Sequence, residues 1–167
     1  MSFHFTRNAD GARQATVDCR LWDTKITAIL YEEEVPEEYA QRCVEAMNAM
    51  PPELADAICR AAKQYYLTFC DEVDEDYVKE LKMTVPIRED TLPSEILKCI
   101  RPLSMEVFPP EDPTRIGYQI VCESDWEVEH CMEIDILDDK LVFLNEYSGE
   151  SPWDDHSEDF YNYANQI

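Results

Sequence analysis

Glu129 and His130 stand side by side in "CESDWEVEHCMEIDILDDKLVFL", the stretch that opens at Cys122, and they lie just beyond Trp126. A carboxylate beside an imidazole can hold the ring's orientation and raise its basicity, as a general acid and base pair requires. Cys131 follows directly and is the candidate nucleophile of a small enzyme built on this pair. Nothing else completes such a site. No nucleophile motif or phosphate-cradling glycine loop accompanies the pair, and His4 and His156 lie near the two ends of the chain. A metal would require further ligands, which Glu123, Asp125 and Cys131 supply only through a contorted loop. The architectural alternative sets Trp126 as a cap on the core edge, with Glu129 and His130 bonded to backbone groups of the connection. The expectation is therefore no catalytic residue, no metal and no cofactor, with Trp126, Glu129 and His130 kept as candidate contacts to a partner.

A second constellation closes the chain, in "EYSGESPWDDHSEDFYNYANQI". Trp153, Phe160, Tyr161 and Tyr163 interleave with Asp154, Asp155, Glu158 and Asp159. Aromatic anchors ringed by carboxylates suit a basic protein partner. The alternative is a terminal segment, 147–167, that docks its aromatics on its own domain. The two are compatible if docking leaves the acids outward. Trp153, Asp154, Asp155, Glu158 and Asp159 join the candidate partner contacts.

These residues must be positioned by elements that the hydrophobic pattern makes legible. In "ATVDCRLWDTKITAILY", Val17, Cys19 and Leu21 alternate, then Ile26, Ala28 and Leu30, with a polar "DT" between them, which predicts a hairpin. Pro36, Glu37 and Glu38 open a helix with the stripe Tyr39, Cys43, Met47, Met50. Pro51 and Pro52 end it and start another, with the stripe Leu54, Ile58, Ala61, Tyr65, Phe69. The run "DEVDED" from Asp71 lacks the glycine and distal glutamate of a calcium loop and reads as a solvated helix end. Short helical pieces follow at about Glu75–Leu81 and in "TLPSEILKCI". From Leu103 the period becomes two. Leu103, Met105 and Val107, then Tyr118, Ile120 and Cys122, then Met132, Ile134 and Ile136 alternate with polar positions, and "LDDKL" turns into a last strand ending at Leu144.

Composition sets the frame around these elements. A chain of 167 residues with 45% hydrophobic and 11% aromatic content can bury a real core, so one α+β domain over 1–167 is expected. Its sheet should be mainly antiparallel, an N-terminal hairpin plus a C-terminal meander, with two to four helices packed on it. Lys and Arg number 14 against 37 Asp and Glu, a formal charge of −23. Residues 116–167 alone sum to −13, with Lys140 the only basic residue there. That balance disfavours nucleic acid and anionic membranes as partners and makes a basic protein the natural complement. Seven cysteines without a C-x-x-C pair fall mostly on apolar faces, which predicts reduced thiols and a cytoplasmic protein. The N-terminus has no signal-peptide core and no run approaches a membrane span.

The W-x-x-E-H of Trp126, Glu129 and His130, the strand "MEIDILDD" and the paired Tyr65 and Tyr66 at the end of a helical segment resemble a group of uncharacterised bacterial domains with a W-D-x-E-H-G signature. This chain departs from that pattern at Glu127, where Asp is usual, and at Cys131, where Gly is usual. The resemblance implies an α+β domain without established enzyme activity, and some similar small acidic domains act as immunity proteins against toxins. Three functions follow as expectations. The first is an immunity-like inhibitor that binds a basic toxin, the second a small enzyme using Glu129, His130 and Cys131, and the third an acidic structural or regulatory module.

Overall fold

The predicted hairpin forms from β2 (Arg13–Cys19) and β3 (Thr24–Leu30), with Val17 facing Ile26 and Ala15 facing Ala28. A single 3-10 turn, Arg20–Trp22, and Asp23 in the left-handed region at φ 50 make the connection. A two-residue strand, β1 (Thr6–Arg7), adds to the outer edge of β2 and has no counterpart in the hydrophobic pattern. The computed structural model describes residues 3–157 and 161–167.

Helix α1 (Glu37–Asn48) starts one residue after the expected proline: Pro36 is the extended cap, and Glu37 and Glu38 occupy the first turn, where carboxylates meet the positive end of the helix dipole. Helix α2 (Pro52–Glu72) takes Pro52 into its first turn and buries Leu54, Ile58, Ala61 and Tyr65. The "DEVDED" run splits into the end of α2, a break at Val73, and α3 (Glu75–Glu80), whose first turn is capped by the Asp74 carboxylate. Residues Pro93–Cys99 wind as a 3-10 helix.

Strands β4 (Ile100–Val107), β5 (Gly117–Ser124), β6 (Met132–Leu137) and β7 (Lys140–Glu146) form the antiparallel meander. One parallel pair, β3 against β4, joins hairpin and meander into a seven-stranded sheet in sequential order. The architecture is thus α+β and mainly antiparallel. One row of facing residues, Ala15, Ala28, Met105, Ile120, Ile134 and Leu144, crosses six strands and is buried throughout. Beneath it, α1 lies against β2 and α2 against β7.

Two positions depart from the alternating pattern. Leu103, expected inward, is 42% exposed, because a bulge between Pro102 and Ser104 rotates it out of the facing row. Glu133 and Asp135, expected outward, are fully buried. The terminal segment covers the second face of the sheet, so β5 and β6 are enclosed on both sides. Among the described residues no helix is long and apolar enough to cross a membrane.

Candidate functional site

The β5–β6 connection, residues 125–131, is organised by Trp126. Its indole is fully buried and seated edge-on against both Tyr65 and Tyr66 of α2, with centroids 5.7 and 5.6 Å away. The paired tyrosines and the tryptophan therefore make one aromatic cluster that pins the connection to the helix. Next to it, Asp125 accepts from the Thr84 amide at 2.7 Å and from Arg101 at 2.6 Å. Burial works against its charge, but these donors hold the carboxyl below the usual range. Glu123 also pairs with Arg101, at 3.4 Å. Both carboxylates are thus engaged by protein cations and donors, and they do not converge with Cys131 on a metal position.

His130 pairs with a different carboxylate from the neighbour that sequence suggests. Its Nδ1 lies 3.3 Å from Glu127 Oε1 and 3.3 Å from Glu146 Oε1, while Glu129 points to solvent. Glu127 Oε1 also accepts from the His130 amide, so the backbone latch expected of Glu129 is supplied by Glu127. One ligand atom from each of Glu127, His130 and Glu146 lies within 4.8 Å of the others. The imidazole Nδ1 stands between the two carboxylates, and the three together tie the connection to the end of β7. Cys131, half-buried, is held by its backbone, whose carbonyl accepts from the Tyr147 amide at 2.7 Å.

The tail docks on its own domain. Trp153 lies over Gly117, where an added Cβ would stand 2.9 Å from the indole, and Arg115 stacks on its outer face at 5.8 Å. Glycine at this strand position leaves room for the ring. Asp154 and Asp155 are exposed, whereas Glu158, Asp159 and Phe160 lie outside the described residues. Asn162 and Tyr163 are buried and Tyr161 is exposed. The Asn162 side chain donates to Val142 O at 2.7 Å and accepts from Leu144 N at 3.2 Å, so it occupies the free edge of β7. Tyr163 then stacks on Tyr65 at 4.8 Å, on the helical side of the sheet.

Under the tail lies a polar cluster that sequence reading missed. Ser148 Oγ and N and Gly149 N all donate to Glu133, and Gln119 Nε2 adds a donor at 3.3 Å. His156, buried on the Phe143 ring at 4.7 Å, places Nε2 3.4 Å from Asp135 and Nδ1 3.5 Å from Glu150. The aromatic tail was the only signal in the sequence that "MEIDIL" has a second covered face.

Surface carboxylates flank the His130 latch. Asp74, Glu127, Glu129 and Glu146 line a shallow depression with Tyr77, and no Lys or Arg lies among the described residues that line it. Tyr77 and Val128, at its rim and in the adjoining groove, are 40% and 66% exposed. A seven-stranded sheet with a one-sided helical layer, an aromatic-pinned β5–β6 connection and a strapped outer face defines the class. The chain belongs to the family described as a domain of unknown function (DUF6985), which it matches over residues 3–151. Neither the comparison with curated proteins nor that with solved structures gave a match.

Proposed function

We propose that the protein is a non-enzymatic bacterial binding protein of the cytoplasm, which receives a basic protein on its acidic surface in the manner of an immunity protein bound to a toxin. The observation that carries this reading is the depression beside Tyr77, lined by Asp74, Glu127, Glu129 and Glu146 and, among the described residues, by no Lys or Arg. Carboxylates in this number speed encounter with a cation-rich surface, and the exposed Tyr77 beside them can anchor it. Asp154 and Asp155 add exposed charge elsewhere on the tail. Trp126 and Trp153 are occupied within the fold, which leaves Glu129, His130 and Tyr77 as the contacts for a partner.

The test is surface-binding kinetics at several salt concentrations with the product of the adjacent open reading frame, chosen if it is basic. Association should slow about tenfold or more when Asp74 and Glu129 are both reversed to Lys, and Tyr77→Ala should chiefly speed dissociation. A partner that binds the reversed protein at an unchanged rate in low salt would remove this surface from the interface.

A further inference from the structure

Glu133 and Asp135 are fully buried on the outer face of β6, and the half-buried Glu106 of β4 stands in the same row, beyond Gln119. Three carboxyl groups thus share one covered face. Among the described residues no Lys or Arg pairs with any of them, and both Asp135 oxygens and one Glu106 oxygen have no hydrogen-bond partner of ordinary length. Buried carboxylates in such company hold protons more tightly than they would in water. What covers them is the segment 147–157, which rests on the face through Trp153 over Gly117 and Gln119 donating to Glu150 O, and through the same carboxyls: Ser148 and Gly149 to Glu133, and His156 to Asp135.

We propose that segment 147–157 is a proton-governed strap, closed over the sheet while the carboxyl groups beneath it retain protons and opened when they ionise, so that the acidic groups of β4 and β6 are uncovered. Burial and the like charges facing the cluster favour this direction, and the donors of Ser148, Gly149 and Gln119 oppose it. From β6 and β4 come Asp135 and Glu106, both like charges when ionised; β5 and β7 present Gln119 and Phe143, which do not titrate. From the strap come Glu150, Asp154, Tyr147 and His156. Burial pushes the Tyr147 phenol up to about 12, outside the range that matters. His156 faces oxygens at both ring nitrogens, Ser151 O with Asp135 on one side and Glu150 on the other, and so ties the strap to the sheet.

Burial also pushes the Glu133 carboxyl up to about 7 from its ordinary 4.5, and Asp135 adds to the rise, against the pull of the Ser148 and Gly149 donors. Burial raises Asp135 and Glu106 as well. A carboxyl raised on closing binds its proton more tightly in the closed state. Its contribution to closure is full below about 4.5 and is lost as pH rises through about 7. For Glu133 alone, linkage gives about tenfold more opening at about pH 8.5 than at about pH 6.

Hydrogen exchange of the full chain, corrected for intrinsic rates, tests the inference. Amides of 147–157 should lose about tenfold protection between about pH 6 and about pH 8.5, amides of β2 and β3 should keep theirs, and Glu133→Gln should flatten the difference. Constant protection of the strap, an equal loss in β2 and β3, or the same loss in Glu133→Gln would overturn it. Carbon-detected titration of the Glu133 carboxyl in the unsubstituted protein decides the matter if the variant does not fold. A midpoint near 7 supports the strap, and one at or below its ordinary value overturns it.

Discussion

Trp126 and His130 are four residues apart and carry very different weight. The indole has no exposure and contacts two tyrosines, so Trp126→Ala should cost about 3–5 kcal/mol in denaturant unfolding, through lost burial and a cavity that α2 cannot close. His130 is an exposed latch between Glu127 and Glu146, and ion pairs in that setting contribute at most about 1 kcal/mol. His130→Ala should therefore leave the midpoint of unfolding nearly unchanged, and a loss comparable to that of Trp126→Ala would show that the latch governs the connection. Trp126's place at the core was legible in the sequence as the architectural alternative to a partner contact. The identity of the imidazole's partners was not: Glu129 is adjacent in the chain but points away, whereas Glu127 and Glu146 arrive through the turn of the connection and the end of β7, which no local pattern encodes.

At the scale of elements, the hairpin, α1, α2 and the strands of the meander follow from periodicity and proline positions, because each buries one face and the buried positions repeat at the element's own period. The pattern misleads where burial is two-sided. "MEIDIL" alternates like a half-exposed strand, yet the tail encloses its polar face. Gly117 and Trp153 hold that enclosure in place. Gly117→Ala would drive a methyl group into the indole, so it should cost about 1–3 kcal/mol as an overpacked contact does. Trp153→Leu should recover part of that loss, and a double-mutant cycle measures the coupling; strictly additive effects would mean that the tail does not rest on the strand. Asn162→Ala leaves the amide of Leu144 and the carbonyl of Val142 without their partner and should cost about 1–3 kcal/mol by the same measurement.

For the whole molecule, a formal charge of −23 sets strong self-repulsion against the core. Thermal unfolding should shift upward by a few degrees as salt rises, because screening relieves that repulsion over a Debye length of about 8 Å near physiological ionic strength. A midpoint that falls with salt would show that attractive pairs dominate. All seven cysteines are free, and burial pushes the Cys19, Cys43 and Cys59 thiols up to about 11. A thiol reagent near pH 8 should reach Cys131 well before these three, and denatured protein without reductant should titrate all seven. The parallel pairing of β3 with β4 has a consequence during synthesis. The hairpin emerges from the ribosome with one side of β3 unpaired, and its complement, β4, is translated only after residues 31–99. That interval encodes α1, which lies against β2 of the same hairpin, so the nascent chain can begin to cover the hairpin's apolar face before the strand that completes the sheet exists.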